Sequence, residues 1–248
     1  MITIKSQREI ELMRATSKLA ADTLRFIEKK LEIGMSTETI NTLCHDFIIE
    51  NNAIPAPLNY HGFPKSVCTS LNEVICHGIP NEKDILKNGD LLNIDVTTIL
   101  NGFHGDTNKT FLIGEVSPEA NKLVTVTKLC LDESIKLVKP GARLGDIGAC
   151  IQEIAHGHGY SVVREYCGHG IGRDFHEDPQ VLHYGTKGTG VTLKEGMTFT
   201  IEPMINLGKR HSKVLSDDWT VVTQDNSLSA QFEHTILVTN TGVEILTL

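Results

Sequence analysis

LLNIDVTTILNGFHGDTNKTF, residues 91–111, has the pattern of a β-hairpin: two runs of Ile, Val, Thr, Leu and Phe around an Asn101-Gly102 turn signal. Each arm nevertheless carries an aspartate, Asp95 and Asp106, among residues that prefer burial. If the loop is centred between Leu100 and Asn101, the two aspartates lie directly opposite; if Asn101-Gly102 is a two-residue loop, they lie on the diagonal. In both registers they share one face, roughly 5 to 8 Å apart at Cβ. Like charges so placed destabilise a sheet, so a compensating cation is needed.

The chain has 248 residues and is 40% hydrophobic, enough for one large or two small domains with a substantial core. With no long apolar run, signal peptide or charge block, a soluble cytoplasmic protein is expected, with no membrane partner. Its 23 basic and 31 acidic residues give a formal charge of −8, against a general nucleic-acid binder. Cys44, Cys68, Cys76, Cys130, Cys150 and Cys167 form no C-x-x-C pair, which points to reduced thiols rather than a disulfide framework or zinc ribbon.

The chain also repeats itself. LEIGMSTETINTLCHDFI from Leu31 resembles VKPGARLGDIGACIQEIA from Val138, matching Gly34 with Gly141 and Ile40 with Ile147 at an offset of 107. The same offset aligns KNGDLLNID, ending at Asp95, with KEGMTFTIE, ending at Glu202. Both halves then continue into a second acidic strand, DTNKTFLI from Asp106 and EHTILV from Glu233. CHGIP and GHGIG are a further echo that aligns His77 with His169. These matches predict two similar halves, each a helical portion followed by antiparallel strands; if the halves pack about a pseudo-twofold axis, four carboxylates converge on it.

Four buried carboxylates require cations, and two divalent ions would neutralise them. A histidine among the donors favours Mn, Fe, Co or Zn over Mg or Ca. His169, with a glycine on either side, is the best candidate. GHGIG also has the spacing of a phosphate loop, but no helix signal follows it. His45, His156, His158, His183 and His211 are expected to be surface or capping residues, and His104 to lie in the hairpin turn without a role.

YHGFPKSVCTSLNEVICHGIP, NIDV with the following GDT, CGHGIGRDFHEDP, TFTIEPM and SLSAQFEHTI together resemble the type I methionine aminopeptidases, the five segments running in order from Tyr60 to Thr235. The resemblance implies an α+β pita-bread fold forming one catalytic domain over 1–248, with halves at about 1–120 and 121–248. It implies removal of the initiator methionine before a small second residue, by hydroxide attack from a dinuclear site of Co, Mn, Fe or Zn. Its metal ligands fall on Asp95, Asp106, His169, Glu202 and Glu233, with Asp106 and Glu233 bridging. Catalytic roles fall on His77, His176 and Glu202, and the two histidines also contact substrate. The methionine pocket falls on Tyr60, Cys68, Phe175 and Trp219, with His61 and Phe63 near its rim. Phe63 stands where the family usually has tyrosine, and Pro57 where cysteine is frequent. A monovalent cation (Na or K) is implied beside Asn72, Val74 and Ser229. A monomer acting on nascent chains near the ribosome is expected, with no specific nucleic acid. Two rivals share the fold: an Xaa-Pro aminopeptidase or prolidase, which usually carries an extra N-terminal domain, and a non-catalytic peptide-binding module, which should lack one or more ligands. A type II methionine aminopeptidase would need a helical insertion for which the second half leaves no room.

Overall fold

The computed structural model describes residues 1–248. The first half comprises α1 (Gln7–Glu28), α2 (Thr37–Glu50), β1 (Ile54–Pro55), a 3-10 turn (Tyr60–Gly62), β2 (Cys68–Leu71), β3 (Val74–Cys76), β4 (Leu91–Leu100) and β5 (Phe103–Leu112). The second comprises α3 (Pro118–Ile135), α4 (Leu144–Gly157), β6 (Ser161–Val162), β7 (Gly168–Gly170), β8 (Glu177–Val181), β9 (Thr198–Ile201), β10 (Met204–Asn206), β11 (Ser212–Val214), β12 (Val221–Thr223), β13 (Ser229–Gln231), β14 (His234–Val238) and β15 (Val243–Ile245).

Local chemistry sets these limits. Ser6 caps α1: its hydroxyl accepts from the Glu9 amide while the Glu9 carboxylate accepts from the Ser6 amide, a capping box. Ser36 and Ser117 cap α2 and α3 in the same way through single bonds. The two halves keep register: α2 and α4 begin and end 107 residues apart, and so do the ends of α1 and α3. Gly34 and Gly141, the matched glycines before α2 and α4, both hold left-handed φ, +95° and +87°.

The β4–β5 hairpin closes with Leu100 opposite Phe103, so Asn101-Gly102 is the two-residue loop. Both loop residues have positive φ, 54° and 77°, the requirement of a type I′ turn. Asp106 therefore faces Thr97 and lies diagonal to Asp95, which pairs with Asn108 on one side and Cys68 on the other. Both faces of β4 are buried, for different reasons. Leu92, Ile94 and Val96 join Leu19, Leu24, Ile27, Ile40 and Ile48 of α1 and α2 in one apolar cluster. Asn93, Asp95 and Thr97 face the other half, where the Asn93 amide donates to the Gln231 carbonyl at 3.0 Å.

The second half is built alike. β9 sits in the five-stranded antiparallel sheet β15-β14-β9-β7-β8, sending Phe199 and Ile201 into a 25-residue apolar cluster with α3 and α4. Thr198 and Thr200 point the other way, and Glu202 follows the last residue of the strand, before Pro203. Between the helices the two halves thus enclose a polar layer, the site of the carboxylates. No helix is long and apolar enough to cross a membrane.

Candidate metal centre

A cavity of about 600 Å³ opens between the halves and is lined by Asp95, Asp106, His169, Glu202 and Glu233 together with His77 and His176. Ligand atoms of Asp106, His169 and Glu233 lie within 4.8 Å of one another. His169 Nε2 is 3.6 Å from both Asp106 Oδ2 and Glu202 Oε1. The flanking glycines make this possible: a Cβ on Gly168 would sit 2.4 Å from the Thr200 carbonyl oxygen, and one on Gly170 2.0 Å from that of Asp178. A larger open groove of about 910 Å³ between the end of α1, β5 and α3 contains no histidine or cysteine, and its charges include the Lys109–Glu28 and Lys128–Asp132 pairs.

Four of the five candidate ligands, all but Asp95, are aimed by a second contact. His169 Nδ1 lies 3.0 Å from the Gly170 carbonyl oxygen and donates to it, which leaves the Nε2 lone pair facing the carboxylates. Thr97 donates to Asp106 at 2.7 Å, Thr200 to Glu202 at 2.7 Å, and Asn108 to Glu233 at 2.8 Å. Two buried acceptors remain without a protein partner, Asp95 Oδ1 and Glu233 Oε1. Burial, then the charges of neighbouring carboxylates, push Asp95 and Glu233 well above the usual carboxylate range, while burial lifts Glu202 to about 7. Unpartnered oxygens, mutually repelling carboxylates and an imidazole with its free nitrogen turned inward fit divalent cations.

His77 and His176 approach from opposite sides. His77 follows β3 in left-handed conformation (φ 57°), with its ring edge-on to Tyr166 and Trp219. The His176 ring lies 4.3 Å from that of His169 and stacks on Phe175, and its Nδ1 is 2.7 Å from the Tyr60 hydroxyl. Burial lowers the pKa of both, His176 to about 4, so both are neutral at pH 7. Tyr60, His61, Phe63, Cys68, Phe175 and Trp219 all border the cavity, as does Pro57. Phe63 is buried edge-on to Trp219. Asn72, Val74 and Ser229 are also brought together: Asn72 has φ 51° and its carbonyl accepts from the Ser229 amide at 2.9 Å, with β3 beginning at Val74.

Two histidines depart from expectation. His104 is not in the turn: it is the second residue of β5, opposite Ile99, and stacks on Phe175. Neither surface nor cap describes His183, which is fully buried; its Nε2 accepts from the Glu202 amide at 3.2 Å. Both contacts join segments far apart in sequence, and no local pattern announces them. His156, His158 and His211 are exposed, the first two at the end of α4. All six cysteines are free.

The sequence pattern of metallopeptidase family M24 matches residues 11–240. A methionine aminopeptidase of Rickettsia prowazekii is 57% identical over 249 residues, covering 100% of this chain and 95% of the relative. The crystal structure of methionine aminopeptidase from that organism superposes with a TM-score of 0.98 at 56% identity, covering 100% of both chains. The Pyrococcus horikoshii prolidase matches at 0.76 and 22% identity, over 99% of this chain and 63% of the prolidase, a likeness of fold alone. With this agreement over the whole chain, and with the pita-bread arrangement of the two halves, the protein belongs to metallopeptidase family M24, among its methionine aminopeptidases.

Proposed function

We propose that the cavity hydrolyses the bond after an N-terminal methionine when the second residue is small, and that Asp95, Asp106, His169, Glu202 and Glu233 would hold two divalent ions. The observation that carries this is the convergence of all five donors at one cavity, with two buried carboxylate oxygens lacking any protein partner. Bound ions supply Lewis acidity and lower the pKa of water. Cobalt, manganese, iron and zinc all suit the donor set.

The chain's own groups do the rest. His176 presents a neutral imidazole, suited to donate from Nε2 to the carbonyl oxygen as negative charge develops there. His77, across the cavity, holds the scissile peptide nitrogen. Glu202 is placed to accept a proton from the attacking water and return it to the departing amine. Tyr60, His61, Phe63, Cys68, Phe175 and Trp219 wall a polarizable slot that suits a thioether. A monovalent ion beside Asn72, Val74 and Ser229 belongs to the same reading. So do one catalytic domain with halves meeting near residue 120, a monomeric working form, and action in the cytoplasm on nascent chains beside the ribosome.

Peptide hydrolysis tests the proposal. Metal-loaded protein is expected to release methionine from Met-Ala-Ser and to leave N-acetylated Met-Ala-Ser and Xaa-Pro peptides intact. Preference for Xaa-Pro, or no hydrolysis with any of the four metals, would refute it.

A further inference from the structure

Resemblance assigns Tyr60 to the wall of the methionine slot, but its hydroxyl is engaged elsewhere. It lies 2.7 Å from Nδ1 of His176, across 116 residues of sequence, and makes no other hydrogen bond. Tyr60 is held there by an unusual stretch of backbone: Asn59 and His61 on either side are both left-handed, with φ 67° and 47°, and Phe63 anchors the turn by burial. The rings of Tyr60 and His176 are 5.3 Å apart, and Phe175 packs against both.

A neutral imidazole has one N–H, and its neighbour decides which nitrogen carries it. Were Nδ1 the donor, the phenol proton would have no acceptor in the protein. With the phenol donating, Nδ1 is the acceptor and Nε2 bears the proton. We infer that Tyr60 is a positioning residue, whose hydroxyl holds His176 in the Nε2–H tautomer and so gives the cavity a hydrogen-bond donor instead of an acceptor. This rests on the reading of His176 as the donor to the scissile carbonyl.

Tyr60→Phe removes only the hydroxyl and leaves the aromatic wall in place. Two readouts separate positioning from packing. With Met-Ala-Ser, kcat is expected to fall roughly tenfold with KM within twofold, since a misdirected donor weakens the transition state rather than substrate binding. Nitrogen-15 NMR of histidine-labelled, zinc-loaded protein is expected to show His176 in the Nε2–H form in the native chain and as a mixture of tautomers in Tyr60→Phe. Unchanged kcat with raised KM, or an unchanged tautomer in Tyr60→Phe, would overturn the inference and leave Tyr60 as a pocket wall. His176→Ala distinguishes the two levels: full kcat in that variant would sink the donor role of His176 itself, whatever Tyr60 does.

Discussion

Metal affinity should fall steeply with acid, and the carboxylate cluster sets the slope. In the protein alone Glu202 titrates at about 7, and Asp95, Glu233 and His169 all hold their protons to higher pH than usual. A cation binds the deprotonated forms, so each proton still present must leave as it binds. The sign follows: affinity is complete above these pKa values and lost as pH drops through them. One displaced proton costs tenfold in affinity per pH unit, about 1.4 kcal/mol. Glu202 alone, already half protonated at pH 7, therefore predicts about a fivefold loss between pH 7 and pH 6. Asp95, Glu233 and His169 each steepen it by up to a further factor of about ten. Titration calorimetry with manganese or zinc at pH 6, 7 and 8, in buffers of differing ionisation enthalpy, measures both affinity and protons released. At least one proton per chain should appear at pH 6. An affinity changing less than about threefold between pH 7 and 6, without proton release, would refute the reasoning.

Two further outcomes test other parts of the account. His176→Ala should retain metal by elemental analysis while kcat falls about 10²–10³-fold, the usual loss on removing a donor to a developing oxyanion; loss of metal would show that the side chain serves loading instead. Gly105→Ala should destabilise the fold by about 1–3 kcal/mol, because a Cβ there would lie 2.5 Å from the Ser17 amide nitrogen, where α1 rests on β5. Scanning calorimetry checks this, and a melting temperature within a degree of the native value would contradict the close-packing explanation.

The skeleton of the site was legible because its determinants are local or periodic. Side-chain parity put Asp95 and Asp106 on one face, while the choice of the diagonal register, left open by the sequence, came from the fold. Matched glycine turns and an offset of 107 placed Glu202 in the partner half, and α2 and α4 keep that offset from first residue to last. What escaped depends on contacts across the fold. The burial of His183 behind the Glu202 amide, the stacking of His104 on Phe175 and the bond from Tyr60 to His176 each join a residue to one from a distant segment. A histidine in sequence looks the same whether it faces solvent or a neighbour brought in by another strand. Asn93 and Thr97, on the same face of β4 as Asp95, are buried because the second half covers them, which the hairpin pattern by itself does not announce.

Counting metal ions tests the central claim most directly. Native protein stripped with chelator, reloaded with manganese and freed of excess should hold two ions per chain, and Asp106→Asn, which removes charge from a residue read as shared by both ions, should hold fewer than one while staying folded by circular dichroism. Equal loading of the two proteins, or no bound ion in the native chain, would contradict a dinuclear centre built on these five residues.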